Sequence, residues 1–212
     1  MTFSSRQDAG RKLGHYLAGM GLNPDLILGL PRGGVVVAAE VARLLHRSLD
    51  VLLVRKVGHP RFPEFAVGAI AEDGALHLDE QALRENQVNP AELQKVIREE
   101  QDRLRHYREK WHPHGSPSLK DKVVLLIDDG IATGATVAAA ILCAQKSSPK
   151  SVMVAAPVAS SHAIHRLRSA VDRVEVLLAD EHFNAVGHYY DDFPQTEDDE
   201  VLDLLRENQK SD

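Results

Sequence analysis

The segment best suited to chemistry is residues 123–136, with the sequence VVLLIDDGIATGAT. An apolar, strand-like run ends in two adjacent acids, Asp128 and Asp129, and a Gly/Thr loop then opens into an Ala-rich helical segment. Amide groups at the start of a helix attract anions, and threonine hydroxyls can donate to phosphate oxygens. The segment therefore predicts a phosphate cradle. Its residues are Ala132, Thr133, Gly134, Ala135 and Thr136.

The paired acids must serve a different part of the ligand, because carboxylates repel phosphate. Asp128 and Asp129 suit vicinal hydroxyls or a hydrated magnesium ion, and a sugar 5-phosphate would satisfy both acids and cradle. The alternative is that Asp-Asp-Gly is only a turn and that the threonines only cap a helix. That alternative explains each residue type but not their order. The motifs of P-loop and dinucleotide-binding proteins, Gly-Lys-Ser/Thr and G-x-G-x-x-G, do not occur at these positions.

A second loop, residues 29–34 (GLPRGG), follows the first strand-like run. Its glycines expose backbone donors at the start of a helix, and Arg32 can form paired hydrogen bonds to a phosphate. These properties suit pyrophosphate, although the same sequence alone could be a plain strand-to-helix turn. The predicted pyrophosphate loop consists of Pro31, Arg32, Gly33 and Gly34.

Strand-like and helix-like segments alternate along the chain. Strands are predicted at residues 25–30, 51–54, 123–127, 152–156 and 174–178, and helices at residues 35–45, 137–145 and 164–167. This alternation predicts an α/β fold with a mostly parallel sheet flanked by helices. Ligands of such sheets bind beyond the carboxyl ends of the strands, where both loops would lie.

The remaining segments are predicted to surround this core within a single domain of residues 1–212. We expect a helix ending at Gly21, a mobile irregular loop at residues 57–65, a hairpin at residues 66–78 and one charged helix at residues 79–111. The core would span about residues 24–158. A small appendage, the hood, would come from residues 1–20 and 180–205, together with the hairpin region.

Composition narrows the possible classes of protein. The net charge is -6 without a block of Lys or Arg, which argues against nucleic-acid binding. There is no apolar run of about 20 residues and no signal-like start, so we expect a cytoplasmic protein without membrane contact. Cys143, the single cysteine, is predicted to be buried. The pairs His112/His114 and His162/His165 lack a third zinc ligand, which indicates surface or capping roles.

The segment 128–136 resembles the signature of type I phosphoribosyltransferases, which bind 5-phosphoribosyl-1-pyrophosphate (PRPP). The resemblance implies that Asp128 and Asp129 hold the ribose hydroxyls, that the cradle binds the 5-phosphate and that the loop at residues 31–34 binds pyrophosphate. It also implies Mg2+, held mainly by oxygens of PRPP with a possible contribution from the two acids. The implied reaction transfers ribose 5-phosphate to a nitrogenous small-molecule acceptor, and a homodimer is possible.

Arg55 and Lys56, followed by a flexible loop, resemble adenine phosphoribosyltransferases. The resemblance implies that both cations stabilise charge on departing pyrophosphate while the loop closes over the site. Glu64, on that loop, could then handle a proton of the acceptor. The alternatives are that Arg55 and Lys56 are solvated cations and that Glu64 has no role.

The acceptor is less well defined. Enzymes for 6-oxopurines carry an acid before Thr-Gly, whereas this chain has Ala132, so an adenine-like purine is favoured. The charged segment 79–111 departs from the small enzymes and resembles bacterial phosphoribosyltransferase-domain proteins with Arg-Lys and Pro-Glu-Phe-Ala-Val-Gly-Ala blocks, whose acceptor the sequence does not identify.

A PRPP-sensing regulator without catalysis is the second hypothesis. Retention of Arg32, Arg55 and Lys56 favours an enzyme.

Overall fold

The structure is a computed structural model that describes residues 2–72, 74–113 and 115–209. Asp73 and His114, and the side chain of Glu64, lie outside this description. The strands are β1 (Leu26–Gly29), β2 (Ser48–Val51), β3 (Val54–His59), β4 (Phe62–Ala71), β5 (Leu76–Leu78), β6 (Val123–Ile127), β7 (Ser151–Ser160) and β8 (Arg173–Asp180). The helices are α1 (Arg6–Gly19), α2 (Gly33–Leu45), α3 (Glu80–Glu85), α4 (Pro90–Trp111), α5 (Ala135–Lys146), α6 (Ser161–Leu167) and α7 (Asp198–Gln209), with a 3-10 turn at Val186–Tyr189.

Five parallel strands form the main sheet in the order β2-β1-β6-β7-β8. Successive side chains of a strand point to opposite faces. Leu26 and Leu28 accordingly belong to the apolar cluster beneath α5 and α6, while Ile27 belongs to the cluster beneath α1 and α2. Both faces of the sheet are therefore covered by helices, which confirms the predicted α/β fold.

The two predicted ligand loops leave neighbouring strands at the same edge of the sheet. Gly29 at the end of β1 pairs with Ile127 at the end of β6. From β1 the chain continues through α2 to β2, and from β6 it continues through α5 to β7, on the opposite side. Such a point, where connections diverge in opposite directions, opens a crevice for ligands in α/β sheets.

The second strand lies earlier in the chain than predicted. We expected residues 51–54, but the sheet strand is Ser48–Val51, and the chain leaves the main sheet at Leu52. Val54 instead begins β3 in a separate antiparallel sheet of order β3-β4-β5. The apolar run continues across this junction because Leu53, between the two strands, is also buried. Hydrophobicity alone therefore does not mark the boundary.

The prediction of an irregular loop at residues 57–65 is wrong. These residues complete β3 and begin β4, with a turn at Pro60 and Arg61. The ladder is irregular here, because His59 pairs with Phe62 while Gly58 pairs with Ala66. Such an interruption is a bulge, in which glycine and proline can be accommodated without ending the strands.

The hairpin prediction is confirmed, since β4 and β5 are antiparallel and Gly74 in the connection has φ +84°. The prediction of one charged helix at residues 79–111 is wrong, because α3 and α4 are separate helices. Gln87 between them has φ +47°, and Asn89 accepts hydrogen bonds from the first amides of α4 ahead of Pro90. An Asn cap followed by Pro at the first helical position is a strong start signal, and it explains the break.

Two smaller expectations are also met. Gly21 follows α1 with φ +67°, as expected of a glycine that ends a helix, and the Cys143 side chain is buried. Within the described ranges, no helix has the length and apolarity needed to cross a membrane.

Candidate active site

The loops after β1 and β6 touch each other through two glycines. A Cβ atom built on Gly33 would lie 2.0 Å from Oδ2 of Asp129, and one on Gly34 would lie 2.7 Å from the carbonyl oxygen of Ile127. Leu30 also donates its amide to the Ile127 carbonyl at 2.8 Å. The predicted pyrophosphate loop and the predicted ribose-binding acids are therefore brought together, and only glycine fits at the closest approaches.

The phosphate cradle is shaped by the start of α5. Gly134 adopts φ +74°, and the Thr133 hydroxyl accepts a hydrogen bond from the amide of Ala135 at 3.3 Å. Thr133 and Thr136 are exposed, so their hydroxyls are accessible to a ligand. The first amides of an α-helix have no acceptor within the helix. The geometry agrees with the anion-binding arrangement expected from the sequence.

Two side chains that the sequence did not single out support the cradle from α6 and from the end of β7. Arg166 donates from Nη2 to the Thr133 carbonyl at 2.7 Å, and Ser160 donates from Oγ to the Ala132 carbonyl at 2.6 Å. Carbonyl oxygens would repel a phosphate, and here they are bound by protein donors. Arg166 also adds positive charge beside the cradle.

The two acids are electrostatically unusual. Asp128 accepts a hydrogen bond at Oδ1 from the amide of Asp129 at 2.9 Å. Burial, together with the neighbouring Asp129 charge, raises the pKa of Asp128 well above its ordinary value. Burial also raises the pKa of Asp129, against the opposing effect of Arg6. The site thus pairs a carboxyl that is costly to ionise with one that a cation helps to ionise.

Arg6 is the main functional candidate that sequence reasoning missed. Its Nε lies 2.7 Å from Oδ2 of Asp129, its Nη1 donates to the Pro194 carbonyl at 2.6 Å, and its guanidinium lies 3.7 Å from the centre of the Phe193 ring. Tyr190 donates its hydroxyl to the Asp129 carbonyl at 2.6 Å. Asp129 is therefore contacted by one residue near the start of the sequence, Arg6, and by one much later, Tyr190. Arg6 and Asp129 are 123 positions apart, so no local sequence pattern could have predicted their contact.

Arg32 lies on the pyrophosphate loop but points towards the start of α7. Its Nη1 is 3.5 Å from Oδ1 of Asp198 and 3.9 Å from Oε2 of Glu197, and the Pro31–Arg32 peptide bond is cis. The loop position agrees with the sequence analysis. The role of Arg32 towards pyrophosphate stays a prediction.

Arg55 and Lys56 lie in the antiparallel sheet and not on either ligand loop. They are consecutive on β3, where Nε of Arg55 lies 2.6 Å from Oε2 of Glu100 on α4. Glu100 also pairs with Arg103 at 2.7 Å. The leaving-group roles of Arg55 and Lys56 remain predictions, and the predicted role of Glu64 falls on a side chain outside the described residues.

His112 meets the prediction of surface or capping roles only in part, because it occupies the C-cap position of α4 but is not at the surface. His112 ends α4, but its ring is buried, with Nδ1 2.8 Å from Oε2 of Glu72 and Nε2 2.8 Å from Oδ1 of Asp50. Burial alone would lower the pKa of His112, but the two carboxylates raise it to about 9. His162 and His165 are exposed, as predicted, and His114 lies outside the described residues.

The fold and the site define an α/β domain in which two candidate ligand loops meet at the carboxyl edge of a parallel sheet. A family model described as "Phosphoribosyl transferase domain" matches residues 5–193, and the chain belongs to this family. The match extends beyond the core of residues 24–158 and includes Arg6, Tyr190 and Phe193.

Known relatives agree with this membership. Two Mycobacterium tuberculosis proteins, MT0597 of strain CDC 1551 and Rv0571c of strain H37Rv, whose names provisionally describe them as phosphoribosyl transferases, are each 40% identical over 204 residues. The alignment covers 96% of this chain but 46% of each relative, so the chain spans about half their length.

Solved structures give the same fold. The crystal structure of TT1426 from Thermus thermophilus is 44% identical, with a TM-score of 0.85 over 98% of this chain and 99% of that one. The AQ2163 protein from Aquifex aeolicus, at 16% identity and a TM-score of 0.51 over 94% of this chain and 84% of that one, supports the fold alone.

Proposed function

We propose that this chain transfers ribose 5-phosphate from PRPP to a nitrogenous acceptor and releases pyrophosphate, as a cytoplasmic enzyme of nucleotide metabolism. The observation that carries the proposal is the contact between Gly33, on the pyrophosphate loop, and Asp129, beside the phosphate cradle. One ligand with phosphates at two ends and hydroxyls between them would engage all three parts. PRPP has this arrangement.

In the proposed complex, the cradle at residues 132–136 holds the 5-phosphate, and Asp128 and Asp129 accept hydrogen bonds from the ribose hydroxyls. The acceptor nitrogen donates an electron pair to the anomeric carbon as the bond from that carbon to pyrophosphate breaks. Pyrophosphate keeps the electrons of the broken bond. Positive charge therefore grows on the ribose and negative charge on pyrophosphate, where Arg32 would stabilise it.

Arg32 must exchange partners to reach pyrophosphate. Its contacts with Asp198 and Glu197 are 3.5 and 3.9 Å long, and its side chain is 31% exposed. Both contacts are longer than a hydrogen bond, and Oδ1 of Asp198 has no hydrogen-bond partner among the residues that the structure describes. Pyrophosphate, which carries several charges, could therefore displace the two carboxylates at little cost. Arg55 and Lys56 would join Arg32 if the β3–β4 hairpin moved towards the loops.

The two acids could bind magnesium, but they offer few free oxygens. Asp128 and Asp129 offer only carboxylate oxygens, the ligands that Mg2+ prefers, and one oxygen of Asp129 is already bound by Arg6. The acids would therefore assist oxygens of PRPP in holding the ion. The bound ion would supply positive charge next to the leaving group.

Ala132, where an acid would meet a 6-oxopurine, supports an adenine-like purine as the acceptor. A PRPP sensor without turnover is the second candidate, and the ion pair that holds Arg55 to Glu100 in this structure favours it.

A panel of purine and pyrimidine bases, incubated with PRPP and magnesium, distinguishes these functions through pyrophosphate release. Release that depends on one base, with formation of the matching nucleotide, supports the proposed enzyme. Binding of PRPP without release for any base would support the sensor instead.

A further inference from the structure

We propose that Arg6 is a positioning residue that orients the Asp129 carboxylate for the ribose hydroxyls, so that the N-terminal segment forms part of the sugar-binding site. The inference deepens the proposed function and rests on it. The geometry that supports it is the 2.7 Å contact between Nε of Arg6 and Oδ2 of Asp129.

The position of Arg6 is closely defined. The residue is 9% exposed although it is charged, and a buried charge is tolerated only with good partners. Asp129 provides one partner, and the consecutive residues Phe193 and Pro194 provide a ring and a carbonyl oxygen. The guanidinium is planar and donates in fixed directions, so these contacts determine where it can bind the carboxylate.

The contact leaves one oxygen of Asp129 for a ligand. Arg6 binds Oδ2, and besides Arg6 the hydrogen bond that lowers the pKa of Asp129 comes from its own backbone amide. This arrangement requires glycine at position 33, because a Cβ atom there would lie 2.6 Å from Nε of Arg6. Arg6 therefore fixes the carboxylate between the two ligand loops through one of its two oxygens, Oδ2.

A purely structural role is the competing explanation, because Arg6 also joins the N-terminal helix to residues 193–194. The two explanations differ in which ligand is affected. If Arg6 acts through Asp129, its loss should weaken the binding of a ribose phosphate but not of inorganic phosphate, which has no hydroxyl-bearing ring. A distorted protein would bind both ligands less well.

The test is calorimetric titration of wild type, Arg6→Gln and Arg6→Lys with ribose 5-phosphate and, separately, with inorganic phosphate. For Arg6→Gln we expect a loss of about tenfold or more for ribose 5-phosphate and a change within about twofold for phosphate. Arg6→Lys, which keeps the charge, should be intermediate. The matched control is Arg11→Gln on the exposed side of α1, which should behave as wild type.

A double-mutant cycle with Asp129→Asn makes the test sharper. If Arg6 acts through Asp129, adding Arg6→Gln to Asp129→Asn should weaken ribose 5-phosphate binding by no more than about twofold. If Arg6→Gln does not fold, Phe193→Leu removes the ring beneath the guanidinium and should produce a milder loss of the same selectivity.

The outcomes separate this inference from the proposed function. Equal losses for ribose 5-phosphate and phosphate, or no loss for either, would overturn the role of Arg6 alone. Failure of the wild type to bind PRPP or ribose 5-phosphate would overturn the proposed function, and the inference with it.

Discussion

The Cα atom of Gly33 faces the carboxylate of Asp129 so closely that a Cβ would lie 2.0 Å from Oδ2. Gly33→Ala should therefore force the two loops apart, weaken PRPP binding by about tenfold or more and lower the free energy of unfolding by about 1–3 kcal/mol. Calorimetric PRPP titration and urea unfolding measure both effects. Gly19→Ala is the control, because its Cβ would meet nothing within 4 Å. PRPP affinity in Gly33→Ala equal to that of Gly19→Ala would contradict the close packing of the loops.

Asp129→Asn should weaken PRPP binding by about tenfold or more, because the amide accepts fewer hydroxyl hydrogen bonds and removes a charge that would lie beside the proposed magnesium ion. PRPP titration in magnesium buffer measures the loss. Asp102→Asn, an exposed substitution on α4, provides the same chemical change away from the site. Unchanged PRPP affinity in Asp129→Asn would show that this acid does not contact the ligand.

Arg32→Ala should lower kcat by about tenfold or more and change PRPP affinity less, because charge on pyrophosphate develops mainly in the transition state. Turnover of the base found in the panel, compared with PRPP titration, separates the two effects. Arg105→Ala, at an exposed position, controls for the loss of one positive charge. A loss of affinity as large as that of Asp129→Asn, with turnover of bound PRPP intact, would make Arg32 an ordinary binding residue.

His112 should make the stability of the protein dependent on pH. Its pKa is raised from 6.5 to about 9 by Asp50 and Glu72, which overcome the effect of burial. A raised pKa in the folded state stabilises the protein fully below pH 6.5, and this stabilisation is lost as the pH rises through about 9. The stability difference between wild type and His112→Gln should therefore shrink by about 3 kcal/mol between about pH 6 and pH 10.

Urea unfolding of both proteins at the two pH values measures this change. His162→Gln, on an exposed ring, should show no pH-dependent difference from wild type. A difference for His112→Gln that stays constant with pH would mean that the ring is not charged between its two carboxylates.

The strand β6 and the loop after it could be predicted because each local signal agrees with the fold: a buried apolar run, paired acids and a glycine with positive φ before a helix. The boundary between β2 and β3 could not be predicted, because Leu53, which connects the two strands, is buried as well. The roles of Arg6 and His112 could not be predicted either. The partner of Arg6 lies 123 positions away, and the two partners of His112 lie 40 and 62 positions away. Long-range ion pairs leave no periodic pattern in the sequence.

The central claim is that residues 31–34 and 128–136 together form a PRPP site, and both the enzyme and the sensor depend on it. The most direct measurement is thermal or urea unfolding of the wild type with PRPP and magnesium. A ligand that binds only the folded protein should stabilise it by about 2.7 kcal/mol at a hundredfold excess over its dissociation constant. A rise in Tm that depends on PRPP concentration is the predicted result. No shift at millimolar PRPP, with magnesium present, would contradict the account.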